Sequence, residues 1–266
     1  DEVINTIKHT PHPKHILIID GVENQIPQCT RYRVINKAEQ LRSFSHEVWT
    51  VNASDFQMGY AEYASQIIIY RTPYSEQFKQ LVELAHKYNK PVFYDIDDLV
   101  YDTSYTDQLD YVKTLGKEEK EAYDSGVRSY GKLMELCDAF ITSTTDLKNE
   151  LLKLGKPVYL NRNLASEELI SISEQAIDKT IKDKKIKIGY FSGSITHNEN
   201  FDLIRSAILK ILKEFPQTEL HLVGHLTIPD EMKNYKKQLI VHDFLDWTLL
   251  PSLVAEMDIN LAPLVD

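Results

Sequence analysis

Residues 66–98 read QIIIYRTPYSEQFKQLVELAHKYNKPVFYDIDD, and this stretch decides the fold. Two short apolar runs, QIIIYR (66–71) and PVFYDI (91–96), flank a segment in which Phe78, Leu81, Val82 and Ala85 recur at helical spacing. A strand, a helix with one face turned to a sheet, and a second strand form a βα repeat. The pattern continues outward. HILIID (15–20) and HEVWTV (46–51) precede it, and DAFITS (138–143) and PVYLN (157–161) follow, with Tyr130, Leu133, Met134 and Cys137 sharing a helical face. Near-continuous apolar strands separated by helices predict a parallel sheet buried on both faces.

Residues 164–185 are polar, end in a cluster of lysines and read as a connector. The pattern then restarts. KIKIGYFS (185–192) leads into a helix carrying Phe201, Ile204, Ile208, Ile211 and Leu212, then ELHLVG (219–224) and LIVHDF (239–244). A helix with Leu249, Leu250, Leu253 and Val254 precedes DINLAPL (258–264). The expected architecture is α/β, with two Rossmann-like parallel-sheet domains over 1–163 and 186–266. The sequence stops directly after a predicted strand, where a parallel sheet exposes an apolar edge. The second domain therefore reads as incomplete and the chain as a fragment.

Thirty Lys and Arg against 40 Asp and Glu give the 266 residues a net charge of −10. Such a chain repels phosphate backbones over its mean surface, which argues against a nucleic-acid scaffold but leaves room for a local anion pocket. Hydrophobic residues at 42%, with 15 Tyr and 9 Phe, supply a core. No run approaches the ~18 apolar residues of a membrane span, and the first residues lack the layout of a secretion signal. Cys29 and Cys137 stand far apart without metal-ligand spacing, so neither a disulfide scaffold nor a zinc site is expected, and a reducing cytoplasm is. Lys182, Lys184, Lys185 and Lys187 read as a solvated stretch or as a peripheral contact to anionic lipid.

In open parallel sheets ligands bind beyond the carboxyl ends of the strands. After the first strand come Asp20, Gly21 and then Arg31 and Arg33, either a surface pair or an anion clamp. The strand at 91–96 runs into Asp95, Asp97 and Asp98, which has three readings. Convergent carboxylates suit a metal. VFYDIDDLVYD also resembles the DxDxT signature of haloacid-dehalogenase-type phosphatases, with Asp95 attacking phosphorus, although Leu99 stands in place of the Thr. Equally, Asp residues after a strand cap the next turn. After the strand at 185–192 comes SGSITHN, whose Gly193, Ser194 and His197 lie where a helix N-terminus favours a diphosphate. Asn198 or Asn200 reads as the cap of that helix. Gly224 and His225 follow the next strand. Phe244, Leu245 and Trp247 read as core, with a backbone edge near Phe244 open to a flat base. The Tyr-rich stretch 101–111 reads as an acceptor-facing loop.

Taken together, CTRYRVINKAEQL (29–41), VFYDIDDLVYD (92–102), ITSTTDLKNELLKLGKPVYLNRN (141–163), GYFSGSITHNENFDLI (189–204) and LPSLVAEMDINLAPL (250–264) resemble the GT-B glycosyltransferases, most closely glycosyltransferase family 4. The resemblance implies a two-domain, retaining, metal-independent enzyme that takes a nucleotide sugar as substrate, holds no resident cofactor and glycosylates a glycan or lipid-linked acceptor. It implies polysaccharide or glycoconjugate assembly in the cytoplasm or at the inner membrane face. By position it assigns Asp97 and Asp98 to catalysis and Asp95, Arg31 and Arg33 to the acceptor side. Gly193, Ser194, His197, Gly224, His225 and Phe244 fall to the donor, and Asn161 and Arg162 to the interdomain segment. Two departures stand out. The Arg and Lys that many members carry in the donor loop are missing, and the family's ExxxxxxxE element would fall beyond Asp266. A Mg²⁺-dependent phosphatase and a non-catalytic binding module remain as alternatives.

Overall fold

The computed structural model describes residues 15–179, 184–193 and 198–265. The chain divides into two compact units, Asp1–Ser166 and Glu167–Asp266.

The first unit is built on six parallel strands: β1 (His15–Asp20), β2 (Glu47–Asn52), β3 (Ala64–Tyr70), β4 (Val92–Asp95), β5 (Ala139–Thr142) and β6 (Val158–Leu160). They lie in the order β2-β1-β3-β4-β5-β6. Each expected strand is present, β1 with the expected ends and the others with ends shifted by one or two residues. The helices are α1 (Asn36–Ser43), α2 (Glu76–Lys87), α3 (Lys117–Met134) and α4 (Thr145–Leu152), with shorter turns between them. Ser75 starts α2 by accepting the Phe78 N–H at 3.2 Å, which satisfies one of the orphan donors of its first turn. Successive β1 residues point to opposite faces. Leu17 and Ile19 pack with Phe78, Leu81 and Val82 of α2 and Leu133 and Met134 of α3. Ile16 and Ile18 pack with Val34 and Ala38 on the other side. Each such side chain, fully buried, contributes about 1.5–3 kcal/mol.

The second unit begins with α5 (Glu167–Lys179), where the sequence reads as a connector, and α5 packs against α7 (Leu250–Glu256). Its parallel strands are β7 (Ile186–Ser192), β8 (Thr218–Gly224), β9 (Leu239–His242) and β10 (Ile259–Leu261), in the order β10-β7-β8-β9. Helix α6 (Asn198–Glu214) covers one face, with Phe201, Ile208 and Leu212 against Ile188, Tyr190, Leu220 and Leu222. The apolar face expected for α7 is only half covered: it buries no residue, and Leu249 before it is exposed.

The fold is thus α/β, with two parallel sheets and the smaller one second. In each sheet the strand order reverses once, between β1 and β3 and between β7 and β10. Such switch points open a crevice at the carboxyl ends of the strands, where ligands of open α/β sheets bind. Among the described residues, no helix is long and apolar enough to cross a membrane.

Candidate functional site

At the switch point of the first unit, the loop after β1 presses on the end of β3. The Gly21 N–H donates to the Tyr70 carbonyl at 2.8 Å, and a Cβ at residue 21 would collide with the Arg71 carbonyl and with Thr72. Only glycine allows this approach. Asp20 holds the loop, accepting the Val22 N–H at 2.9 Å and the Thr30 hydroxyl at 2.7 Å.

Beside it, a π-helical turn, Arg31–Ile35, precedes α1 and turns Arg33 inward. Its guanidinium meets Asp95 Oδ1 at 2.6 Å, and neither side chain has any exposure. Lys37, one helical turn on, pairs with Asp95 Oδ2. Arg33 also donates to the Asn161 carbonyl at 2.7 Å and to Asn163 Oδ1 at 3.0 Å. Burial pulls the Arg33 and Lys37 pKa values down, and the Asp97 carboxylate opposes this in both. The result is a buried ionic tie between the end of β4, the π-helical turn and the segment after β6. It corrects two expectations. Arg33 is no open anion clamp, because its donors are spent inside the unit. Asp95 faces neither an acceptor nor a phosphorus atom: it is fully buried, with cations against both oxygens, so the nucleophile of the phosphatase reading is lost. Arg31 lies half-buried in the same turn.

Of the remaining carboxylates, Asp97 is largely buried and Asp98 is exposed. The Tyr70 hydroxyl donates to Asp97 Oδ1 at 3.0 Å, and Arg71 Nη1 stands 3.7 Å from the same oxygen and 3.4 Å from Asp98 Oδ2. Burial works against the Arg71 charge, but Tyr70, Asp97 and Asp98 outweigh it and raise its pKa above that of ordinary arginine. Cys29 lies 3.9 Å from Arg71 Nη1, and its thiol pKa is raised by burial first and by Asp97 next. Three cations and three carboxylates therefore balance at this edge. Sequence reasoning missed Tyr70, Arg71 and Lys37. The first two close the run QIIIYR, the place after a strand where functional residues are sought. Lys37 falls four residues after Arg33.

In the second unit, β7 and β8 run in register to Ser192 and Gly224. Gly224 has φ +85°, and a Cβ there would strike the Ser192 carbonyl. This conformation and approach both require glycine. His225 N–H donates to the Ser192 carbonyl at 3.2 Å, and its ring stacks on Phe244, with centroids 5.1 Å apart and planes at 17°. Phe244 is 49% exposed, so it is no core residue as expected but half of an aromatic shelf; it falls after β9, the edge strand of its sheet among the described residues. Leu245 and Trp247 are half-buried. Gly193, exposed after β7, lies at the same sheet edge as Gly224 and His225. Ser194 and His197 lie outside the described residues.

Asn198, the first residue of α6, brackets Thr227, accepting its N–H at 3.0 Å and donating to its hydroxyl at 3.1 Å. Asn200 accepts the Val265 N–H at 2.9 Å. Both asparagines thus tie loops across the unit. A cleft of about 390 Å³ opens beside them, bordered by Asp202, Arg205, Asp230 and Glu231. Arg205 is paired with Asp202 at 3.2 Å, so the lining repels a diphosphate more than it attracts one. Asn161 donates to Gln40 Oε1 at 2.7 Å and Arg162 to Thr145 Oγ1 at 3.3 Å, contacts that tie both to the first unit.

No protein-family model matches this chain, and no curated protein matches it. Among solved structures it is similar to HepE from Anabaena in complex with UDP and glucose, at 12% identity and TM-score 0.45, over 94% of this chain and 73% of that one. It is similar to the catalytic domain of starch synthase IV from Arabidopsis thaliana bound to ADP and acarbose, at 10% identity and TM-score 0.48, over 92% and 77%. It is also similar to a UDP-GlcNAc 2-epimerase from Neisseria meningitidis bound to UDP-GlcNAc, at 14% identity and TM-score 0.41, over 92% and 76%.

Proposed function

We propose that this chain belongs to a nucleotide-sugar-dependent glycosyltransferase of GT-B type, the second unit receiving the donor and the first the acceptor. The observation that carries the reading is the edge formed by Ser192, Gly193, Gly224 and His225. There a glycine that tolerates no Cβ brings two strand ends together beside an exposed His225–Phe244 shelf. Backbone N–H groups at such an edge suit a diphosphate, and the shelf suits a flat base.

In this reading the bond from the anomeric carbon to the β-phosphate oxygen breaks, and the diphosphate leaves with the electron pair. Donors aimed at that oxygen stabilise the transition state more than the ground state. The acceptor hydroxyl, hydrogen-bonded to Asp97, attacks the oxocarbenium-like carbon and passes its proton to the carboxylate. Backbone dipoles supply the charge stabilisation, so the reading is metal-independent, with no resident cofactor. Attack on the face that the leaving group vacates retains configuration. Assembly of a polysaccharide or glycoconjugate, in the cytoplasm or against the inner membrane face, completes the proposal.

Calorimetric titration of the 266-residue chain with UDP, ADP, GDP and CDP tests it. Saturable binding of one of them supports the reading, and heat-silent titrations with all four refute it.

A further inference from the structure

We infer that Arg71 is a positioning residue of the acceptor site, acting with Tyr70 to aim Asp97; the inference rests on the glycosyltransferase reading. Asp97 is held asymmetrically. Oδ1 takes both the Tyr70 hydroxyl at 3.0 Å and the Arg71 guanidinium at 3.7 Å, whereas Oδ2 has no hydrogen-bond partner among the described residues. One oxygen anchors and the other is presented. Carboxylates used as hydrogen-bond acceptors or bases gain from such fixation, because a group already oriented loses little freedom in the transition state.

The anchors are themselves fixed. Tyr70 is the last residue of β3 and is fully buried. Arg71 N–H donates to the Asp95 carbonyl at 3.1 Å, and its own carbonyl is pressed by Gly21. Its φ is +38°, a conformation that a non-glycine residue keeps only where its neighbours enforce it. The guanidinium faces Asp97 and Asp98. Its side chain keeps 11% exposure and that of Asp97 13%, against 63% for Asp98, so the guanidinium and the Asp97 carboxylate are shielded alike and Asp98 lies outermost. An incoming acceptor meets the Asp98 carboxylate first, which disfavours an anion and admits a neutral hydroxyl. Arg71 thus acts through Asp97 and does not itself touch the reacting atoms.

The test measures nucleoside diphosphate release from a panel of nucleotide sugars, with neutral saccharides as acceptors, for wild type, Arg71→Ala, Arg71→Lys and Tyr70→Phe. A positioning role predicts that Arg71→Ala lowers kcat at least about tenfold while donor KM changes less than about twofold, with partial rescue by millimolar guanidinium. Arg71→Lys should fall between wild type and Arg71→Ala. Should Arg71→Ala fail to fold, Tyr70→Phe, which removes one hydroxyl from the same anchor, should still lower kcat at constant donor KM. Wild-type kcat in the folded Arg71 variants, or a loss confined to donor KM, overturns the inference and leaves the reading standing. A wild-type chain that binds nucleoside diphosphate yet turns over no nucleotide sugar overturns the inference and leaves only the donor half of the reading. No nucleotide binding at all removes both.

Discussion

Arg33 and Asp95 meet 2.6 Å apart with neither side chain exposed, and Lys37 closes the other side of the carboxylate. Removing Arg33 leaves Asp95 paired with Lys37, so the cost lies toward the lower end of the about 3–5 kcal/mol of a broken buried pair. Arg33→Met should therefore lower the urea midpoint strongly and loosen the segment after β6, which Arg33 ties through the Asn161 carbonyl. Denaturant unfolding monitored by circular dichroism checks this; a midpoint within error of wild type would show the tie to be dispensable.

Gly224→Ala combines a positive φ with a collision against the Ser192 carbonyl. A loss of about 1–3 kcal/mol is expected, together with loss of nucleotide binding, because the strand ends must separate. Thermal unfolding and calorimetry on the same sample read both effects.

Phe244→Ala should separate binding from folding. At 49% exposure the ring adds little to stability, so unfolding should shift by no more than about 0.5 kcal/mol. Nucleotide affinity should fall about tenfold, as expected when a base loses an aromatic stacking partner worth ~1–3 kcal/mol. Equal affinity in wild type and variant would move the base away from the shelf.

His221 Nδ1 and His242 Nε2 lie 3.0 Å apart on neighbouring strands, close enough for one N–H to be shared but not for two imidazolium ions. Burial first, then His242, holds the His221 pKa below its ordinary 6.5, with Glu219 opposing. The unfolded chain thus takes up the proton before the folded one does. Stability present above pH 6.5 is lost as pH falls toward the depressed folded value, after which the slope flattens. His221→Gln should flatten Tm against pH over that window; an unchanged slope would assign the pH dependence to other groups.

The ten strands were legible because parallel strands buried on both faces need apolar runs, and those runs stand out between helices. Residues 167–179 were not: their isoleucines are too sparse to mark a sheet-covering helix, and α5 gains its place through α7. At the site, Asp97 and Gly193 lie just beyond β4 and β7 and Gly224 ends β8, the strand-end positions that rank along the chain predicts. Spacing could not tell that Arg33 turns inward, because a π-helical turn shifts the face on which each residue falls. Asp95 was misread for a different reason: the partners that consume it lie 58 to 62 residues away in sequence. The core reading of Phe244 fails at 49% exposure, because an aromatic after a strand looks alike in a core and on a shelf; its donor-side reading is untouched by this.

In the donor reading a diphosphate sits at the end of β7. A crystal structure of the chain soaked with whichever nucleoside diphosphate binds tests this most directly. The phosphates should lie over the Gly193 backbone at the end of β7, with the base beside Phe244. Density in the Arg205 cleft instead, or an edge at Ser192 and Gly224 left untouched by a ligand bound elsewhere, would contradict it.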